Sequence, residues 1–464
     1  MFDVTFIFRK KILNMLIVEF FFTNSHCYGI TDINQQGFKI MFKHSLIALA
    51  TLTSFSVSAA QLVLNADAVL DVTSGKLIKP ATVVIEDNKI ISVSKTNRKG
   101  YAADAKIMNL KGYTLLPGLF DMHVHLTNDA HVHGYKRLQR TTQRSAITGV
   151  RNAKRTLEAG FTSVRNLGAP GYADIALKDA IADGDVPGPR IFAAGPSLGV
   201  TGGHCDNNLL THEHAVASQG VADGPWAVRA KVRENIKYGA DVIKFCATGG
   251  VLSKGTKVGA QQYSQEEMNA IVEEAHLRGL TVAAHAHGTE GIKSAIEAGV
   301  NSVEHVSFVD DEAIALALEK GTYFSMDIYN TEYILSEGKK AGILEESLNK
   351  ERKVGSRQRA SFTKAVKAGV NMVFASDAGV YPHGDNGHQF SRMVKFGMTE
   401  LQALQAATIN AATMLKKQDS LGSLDAGKFA DVIAVKGNPL ENISTLEQVD
   451  LVIKDGKVEI DLIK

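Results

Sequence analysis

From Gln61 to about Val93, short β-branched runs alternate with turn residues: Leu62-Val63-Leu64, Ala68 to Val72, Thr82 to Ile85, and Ile90 to Val93 beyond Asp87-Asn88. Runs of this length, bounded by turn formers, read as strands. The same texture returns near the end of the chain in Ala430 to Val435, Val449 to Ile453 and Val458 to Ile460. Two β-rich ends around a different middle predict a small β-sandwich built from both termini, over 61–114 and 417–464.

The middle, 115–416, repeats a phrase in which a helix closes on glycine and a short apolar strand begins at once. It occurs at Ala159-Gly160-Phe161, Tyr238-Gly239-Ala240, Arg278-Gly279-Leu280, Ala298-Gly299-Val300, Lys320-Gly321-Thr322 and Ala368-Gly369-Val370. Glycine suits the left-handed residue that ends a helix, and strand following helix is the grammar of a parallel α/β fold. Strands at Thr114 to Phe120 and Arg190 to Ala194 bring the tally to eight. The fold class expected is therefore α/β, a (β/α)8 TIM barrel, which needs about 250 residues. A doubly wound open sheet is the competing architecture, but no Gly-x-Gly-x-x-Gly opens a helix after the first strand.

The first sixty residues differ from the rest. Val4 to Phe22 is apolar but broken by Arg9, Lys10, Lys11 and Glu19, which unfits it for a bilayer span. A second start at Met41 is followed by Lys43, an uncharged apolar stretch from Leu46 to Val57, and Ser58-Ala59-Ala60. That is the layout of a secretory signal peptide, with cleavage expected near Ala60. On this reading 1–40 is a mis-assigned extension, 41–60 a signal peptide, and the mature protein periplasmic or secreted without stable membrane association. The formal net charge of +2 falls to zero once 1–60 is removed. Neutrality gives no electrostatic reason to expect nucleic acid, and points to a small substrate. Oligomeric state is open, a homo-oligomer included. Cys27 leaves with the leader, so Cys205 and Cys246 remain as an even pair where a disulfide is permitted.

In a fold of this type chemistry sits where strands end. The first strand closes on Asp121-Met122-His123-Val124-His125, the fourth carries Lys244, the fifth ends His285-Ala286-His287, the sixth Glu304-His305 and the eighth Ser376-Asp377. Residues two apart on a strand face the same way, so His123 and His125 can chelate one metal ion. His131 with His133, and His212 with His214, are spaced alike but lie in polar loop sequence, where solvated surface histidines are expected. His383 and His388 either line the entrance or are exposed. Lys244 stands amid Val242, Ile243, Phe245 and Cys246, where an ammonium is buried and something must answer its charge. A salt bridge is one answer. The other is that desolvation lowers the lysine pKa until the neutral amine takes up carbon dioxide, giving a carbamate able to bridge two cations.

Taken together, His-x-His, a strand-end lysine, two further strand-end histidines and a final aspartate resemble the amidohydrolase superfamily. Gly202-Gly203-His204, Ile243-Lys244 with Ala247-Thr248-Gly249-Gly250, and Ala284-His285-Ala286-His287-Gly288 are similar to its branch of Xaa-Pro and Xaa-Arg dipeptidases. The likeness extends over the mature chain to Gly427-Lys428-Phe429-Ala430-Asp431. It implies two divalent metal ions, zinc first among the candidates, with N6-carboxylysine at Lys244. His123, His125, Lys244 and Asp377 would hold one ion, and Lys244, His285 and His305 the other. Val164-Arg165-Asn166 departs from the family's Val-Arg-Asp at a position that is not a ligand.

The resemblance also implies a reaction: a metal-bridged hydroxide attacks an amide or peptide carbonyl, and Asp377 as general base passes the proton to the leaving amine. The expected substrate is a small peptide, most readily a dipeptide, or an N-acyl amino acid. His204 and His287 are expected to meet its carboxylate, with Tyr329 and Arg165 behind them. The same neighbouring loops could bring Cys205 and Cys246 together. Two rivals stand: a mononuclear cyclic amide hydrolase resembling imidazolonepropionase, and an exported metal- or peptide-binding protein without turnover.

Overall fold

The computed structural model describes residues 61–95 and 101–463; the expectations for 1–40 and 41–60 lie outside the described residues. Both termini contribute to one sheet. Its strands are β1 (Gln61–Asp71), β2 (Lys76–Ile78), β3 (Ala81–Glu86), β4 (Lys89–Ser94) and β5 (Lys106–Pro117) from the N-terminal side. From the C-terminal side come β14 (Val432–Lys436), β15 (Leu451–Lys454) and β16 (Lys457–Asp461), paired in the order β16-β15-β14-β5-β1-β3-β4 with β2 on β1. The join is antiparallel pairing of β14 with β5, from Val432 opposite Pro117 to Lys436 opposite Tyr113. This sheet has its own apolar cluster, including Leu64, Val83, Ile85, Leu115, Val432 and Leu451.

Between them lie eight parallel strands: β6 (Leu119–Val124), β7 (Phe161–Asn166), β8 (Arg190–Ala193), β9 (Val242–Cys246), β10 (Thr281–Ala286), β11 (Ser302–His305), β12 (Tyr323–Ser325) and β13 (Met372–Val373). They pair as a three-stranded sheet, β6-β7-β8, and a five-stranded one, β13-β12-β11-β10-β9. Backbone hydrogen bonds join the two sheets at both seams. At one, Met122 N donates to Phe374 O (2.9 Å), Asp377 N to His123 O (2.7 Å) and His125 N to Ala378 O (2.8 Å). At the other, Asp241 N donates to Ala193 O (2.8 Å), Leu198 N to Lys244 O (2.8 Å) and Cys246 N to Leu198 O (2.9 Å).

The glycines expected to close helices do so: Gly160, Gly239, Gly279, Gly299, Gly321 and Gly369 all have positive φ, between 67° and 101°. The first central strand needs correction. Thr114 to Phe120 is not one strand: β5 runs past 114 to Pro117 within the terminal sheet, and β6 starts at Leu119. The break is Gly118, where a Cβ would stand 2.1 Å from Thr162 Oγ1, so only glycine lets the backbone cross there. Among the described residues no helix is long and apolar enough to cross a membrane.

Candidate active site and metal centre

Strand register places most of the site on one face. Lys244 pairs with Ala283, His285 with Cys246 and with Glu304, and Glu304 with Ser325. By strand alternation Lys244, His285 and Glu304 therefore project to the same side, with Asp327 two residues beyond Ser325 continuing that row. His305 follows Glu304 and should point the other way. It does not, because His305 (φ 70°) and Val306 (φ 49°) are left-handed and turn the chain as the strand ends. Asp377 is left-handed too (φ 55°). Such backbone is rare outside glycine, most of all for a β-branched residue, and its concentration at two site residues marks strain held for a purpose.

The side chains converge on the floor of a pocket of about 680 Å³ lined by His123, His125, Lys244, His285, His305 and Asp377, with His204, His287 and Asp327. Two triads have ligand-type atoms all within 4.8 Å of one another: His123, His305 and Asp377, and His285, His287 and His305. His305 belongs to both. The imidazoles pack edge and face, His204 stacking on His285 (centroids 4.1 Å apart) and His287 on His305 (4.9 Å). Gly250 makes room for this, since a Cβ there would lie 2.4 Å from His204 Cε1.

His125 Nδ1 faces Gly168 O at 3.2 Å, and a carbonyl can only accept, so that nitrogen carries the proton. Burial first, and the Lys244 charge second, hold the His125 pKa down to about 3, so its ring is neutral and Nε2 is a bare lone pair. That lone pair faces Asp377 Oδ1 at 3.3 Å, with His123 Nε2 3.5 Å from the same oxygen. Neither approach is a hydrogen bond, and Asp377 Oδ1 has no hydrogen-bond partner among the described residues. His285 Nε2 is likewise buried without a partner. Lone pairs and a carboxylate turned on one another in a buried pocket are what a cation reconciles, so these residues fit a metal. Without one, the alternative is a proton on Asp377, whose pKa burial, then Asp327, raises to about 7.

Lys244 is 3% exposed, and burial lowers its pKa to about 8 against the opposing pull of Glu304 and Asp377. A neutral amine is thus within reach near physiological pH, the condition carbamate formation requires.

Several functional residues escaped the sequence. Asp327 accepts from His305 Nδ1 (2.7 Å), Gln358 Nε2 (3.0 Å) and, through its other oxygen, Asn330 Nδ2 (2.9 Å). Asn330 also donates to Asp377 Oδ2 (3.0 Å), so one amide spaces two carboxylates. Burial alone would lower the His305 pKa, but Asp327 outweighs it and the shift is upward. A Ser-x-Asp at the end of the seventh strand was the available signal for Asp327. Glu304 approaches His123 Nδ1 at 3.0 Å, in the place where a carboxylate would fix a ligating imidazole.

Two expected substrate contacts are corrected. Arg165 is fully buried below the pocket, donating to Met122 O (2.6 Å), Ser302 Oγ (2.8 Å) and Glu304 Oε1 (2.8 Å), and has no surface to offer a substrate. Tyr329 does not line the pocket; its ring packs on Tyr381 at 5.0 Å and beneath the Arg392 guanidinium at 4.8 Å. His204 and His287 do line it, anchored by Ser253 Oγ (2.8 Å) and Ser307 Oγ (2.7 Å), and His287 stands close enough to be a ligand. Asn166 donates to Asp174 Oδ2 (3.0 Å) and accepts from Leu126 N (2.7 Å), tying strand ends together.

His133 was expected to be solvated and is instead buried, facing Val380 O at 3.2 Å, because the turn that carries it folds under the loop after Asp377. His131, His212 and His214 are exposed as expected. His383 is buried against His125 O (3.2 Å), while His388 is half-buried beside Glu447. Cys205 and Cys246 form a disulfide, Cα atoms 5.9 Å apart, fastening the His204 loop to β9.

A family model for the amidohydrolase family matches residues 114–458. The chain is 35% identical over 414 residues to an ochratoxinase of Aspergillus niger, covering 83% of this chain and 84% of that protein. It is 25% identical over 394 residues to the imidazolonepropionase of Micrococcus luteus, covering 77% and 88%. Among solved structures, a Xaa-Pro dipeptidase with bound methionine in its active site superposes with a TM-score of 0.82 at 40% identity, covering 86% of this chain and 99% of that one. The matching family model and these relatives, all hydrolases acting on carbon–nitrogen bonds, agree with the site described above: the chain belongs to the amidohydrolase family and is a hydrolase of that family.

Proposed function

We propose that this protein is an exported dipeptidase or N-acyl amino acid hydrolase working with two divalent cations, zinc first among them, which carboxylated Lys244 would help to hold. The eight central strands are read as a closed barrel, supported by the hydrogen bonds at both seams, with the terminal sheet as a sandwich-like attachment. The likeness to a Xaa-Pro dipeptidase and an ochratoxinase supports a small amide substrate.

The observation that carries the reading is the approach of His125 Nε2 to Asp377 Oδ1 at the pocket floor, 3.3 Å apart and not hydrogen-bonded. Bound there, cations would supply the Lewis acidity that makes water nucleophilic and polarises the carbonyl. The chain's own residues do the rest. Asp377 Oδ1 receives the proton of the attacking water and returns it to the amide nitrogen as the carbon–nitrogen bond breaks, leaving a carboxylic acid and an amine. Asn330 keeps the other oxygen of Asp377 occupied, so proton traffic is confined to one oxygen.

Hydrolysis of a dipeptide and N-acyl amino acid panel by zinc-loaded protein, with metal content per chain, tests this: turnover with about two ions, and loss of both in Lys244→Ala. The rival, a mononuclear cyclic amide hydrolase, is favoured by the membership of His305 in both triads. It predicts one ion and little effect of Lys244→Ala.

A further inference from the structure

The pocket wall above the metal-ligand cluster carries few charged groups, and among the described residues nearly all are engaged within the protein. Asp129 pairs with Arg140 at 3.1 Å and with Arg151 at 3.5 Å. Asp206 accepts from the backbone of Gly202 (2.9 Å), Asn207 (2.7 Å) and Ser218 (2.9 Å). Glu351 accepts from Thr331 Oγ1 at 2.5 Å, and Lys254 donates to Tyr135 OH at 3.0 Å.

Arg137 is different. It sits on the short 3-10 turn Gly134–Gln139 that follows the His-x-His strand, and it lines the pocket. Its carbonyl takes the N–H of Arg140, but among the described residues its guanidinium has no carboxylate or hydrogen-bond partner. Its side chain is exposed where it borders the open pocket. It lines the same pocket as His125 and His204. An unpaired guanidinium presents a planar fork of donors that matches a carboxylate bidentately.

We propose that Arg137 is the specificity-determining residue of this pocket, receiving the free carboxylate of the substrate's amino-acid portion. The inference rests on the reading of the substrate as a dipeptide or N-acyl amino acid. The sequence placed Arg165 behind His204 and His287 in that role, and the core consumes Arg165.

The test compares N-acetyl-L-amino acids with their C-terminal carboxamides, using zinc-loaded wild type, Arg137→Met and Arg137→Lys, each checked for an unchanged melting curve. Binding is followed by calorimetric titration and hydrolysis by initial rates. The expected result is a binding constant and KM weakened at least tenfold in Arg137→Met for the acids, with kcat changed far less. Arg137→Lys should recover part of the loss, and the carboxamides should bind weakly to all three proteins. Equal binding of acids and carboxamides by wild type, or acids bound equally by wild type and Arg137→Met, overturns the proposal. Arg137-dependent binding of the acids without any hydrolysis supports it while refuting the proposed reaction.

Discussion

Arg165 and Glu304 form a fully buried ion pair whose carboxylate also faces His123. Removing one partner of such a pair strands the other charge, which typically costs roughly 3–5 kcal/mol. Arg165→Met is therefore expected to lower unfolding free energy by about that much in urea titrations, and to weaken metal binding because Glu304 loses its anchor. A second residue sets a pH dependence. Burial, then Asp327, raises the Glu351 pKa from 4.5 to about 7, against the pull of Thr331. The folded state thus binds this proton more tightly than the unfolded chain, so stability falls as pH rises from 4.5 to 7. In metal-free protein, Glu351→Gln should flatten that slope and raise the melting temperature at pH 8, while leaving it little changed at pH 4. Of these residues the sequence disclosed Lys244 clearly, because a charge within an apolar strand is conspicuous without any fold. Arg165 was equally conspicuous and misread: a strand-borne cation can point to the site or be spent on a neighbouring strand, and only Ser302 and Glu304 across the sheet decide which.

At the scale of elements, the strand periodicity that aligned His123, His125 and His285 was readable, and so were the glycines closing the helices. Asp327 was not. Its strand, Tyr323–Ser325, is three residues long and gives alternation too little length to register. Asn330 and Gln358 lie on helices whose inward faces are defined only by packing, and His133 is buried by a loop distant in sequence. The disulfide belongs to this scale as well. It fastens the loop bearing His204 to the strand bearing Lys244, 41 residues on. Replacing both cysteines by serine is expected to cost about 2–4 kcal/mol in denaturant unfolding. The wild-type protein under reductant should show the same loss, and the double variant should be indifferent to reductant.

For the whole molecule, the candidate metal cluster joins strands from both sheets, His123 from β6 and His125 just beyond its end with His285 and His305 from β10 and β11. The candidate ligands come together only when the sheets do, so a metal bound there would stabilise the fold as a unit. At a free metal concentration about 1,000 times Kd the gain is about 4 kcal/mol. Dialysis against chelator should accordingly lower the melting temperature, and zinc should restore it. The central claim is that this cluster hydrolyses an amide with Asp377 moving the proton. It is tested most directly by the initial rate of amino-acid release from a dipeptide panel, measured for zinc-loaded wild type beside zinc-loaded Asp377→Asn. The account predicts release by wild type from at least one dipeptide and a rate lower by about 100-fold or more in the variant. No release from any dipeptide by wild type, or a variant within a few-fold of it, would contradict the account.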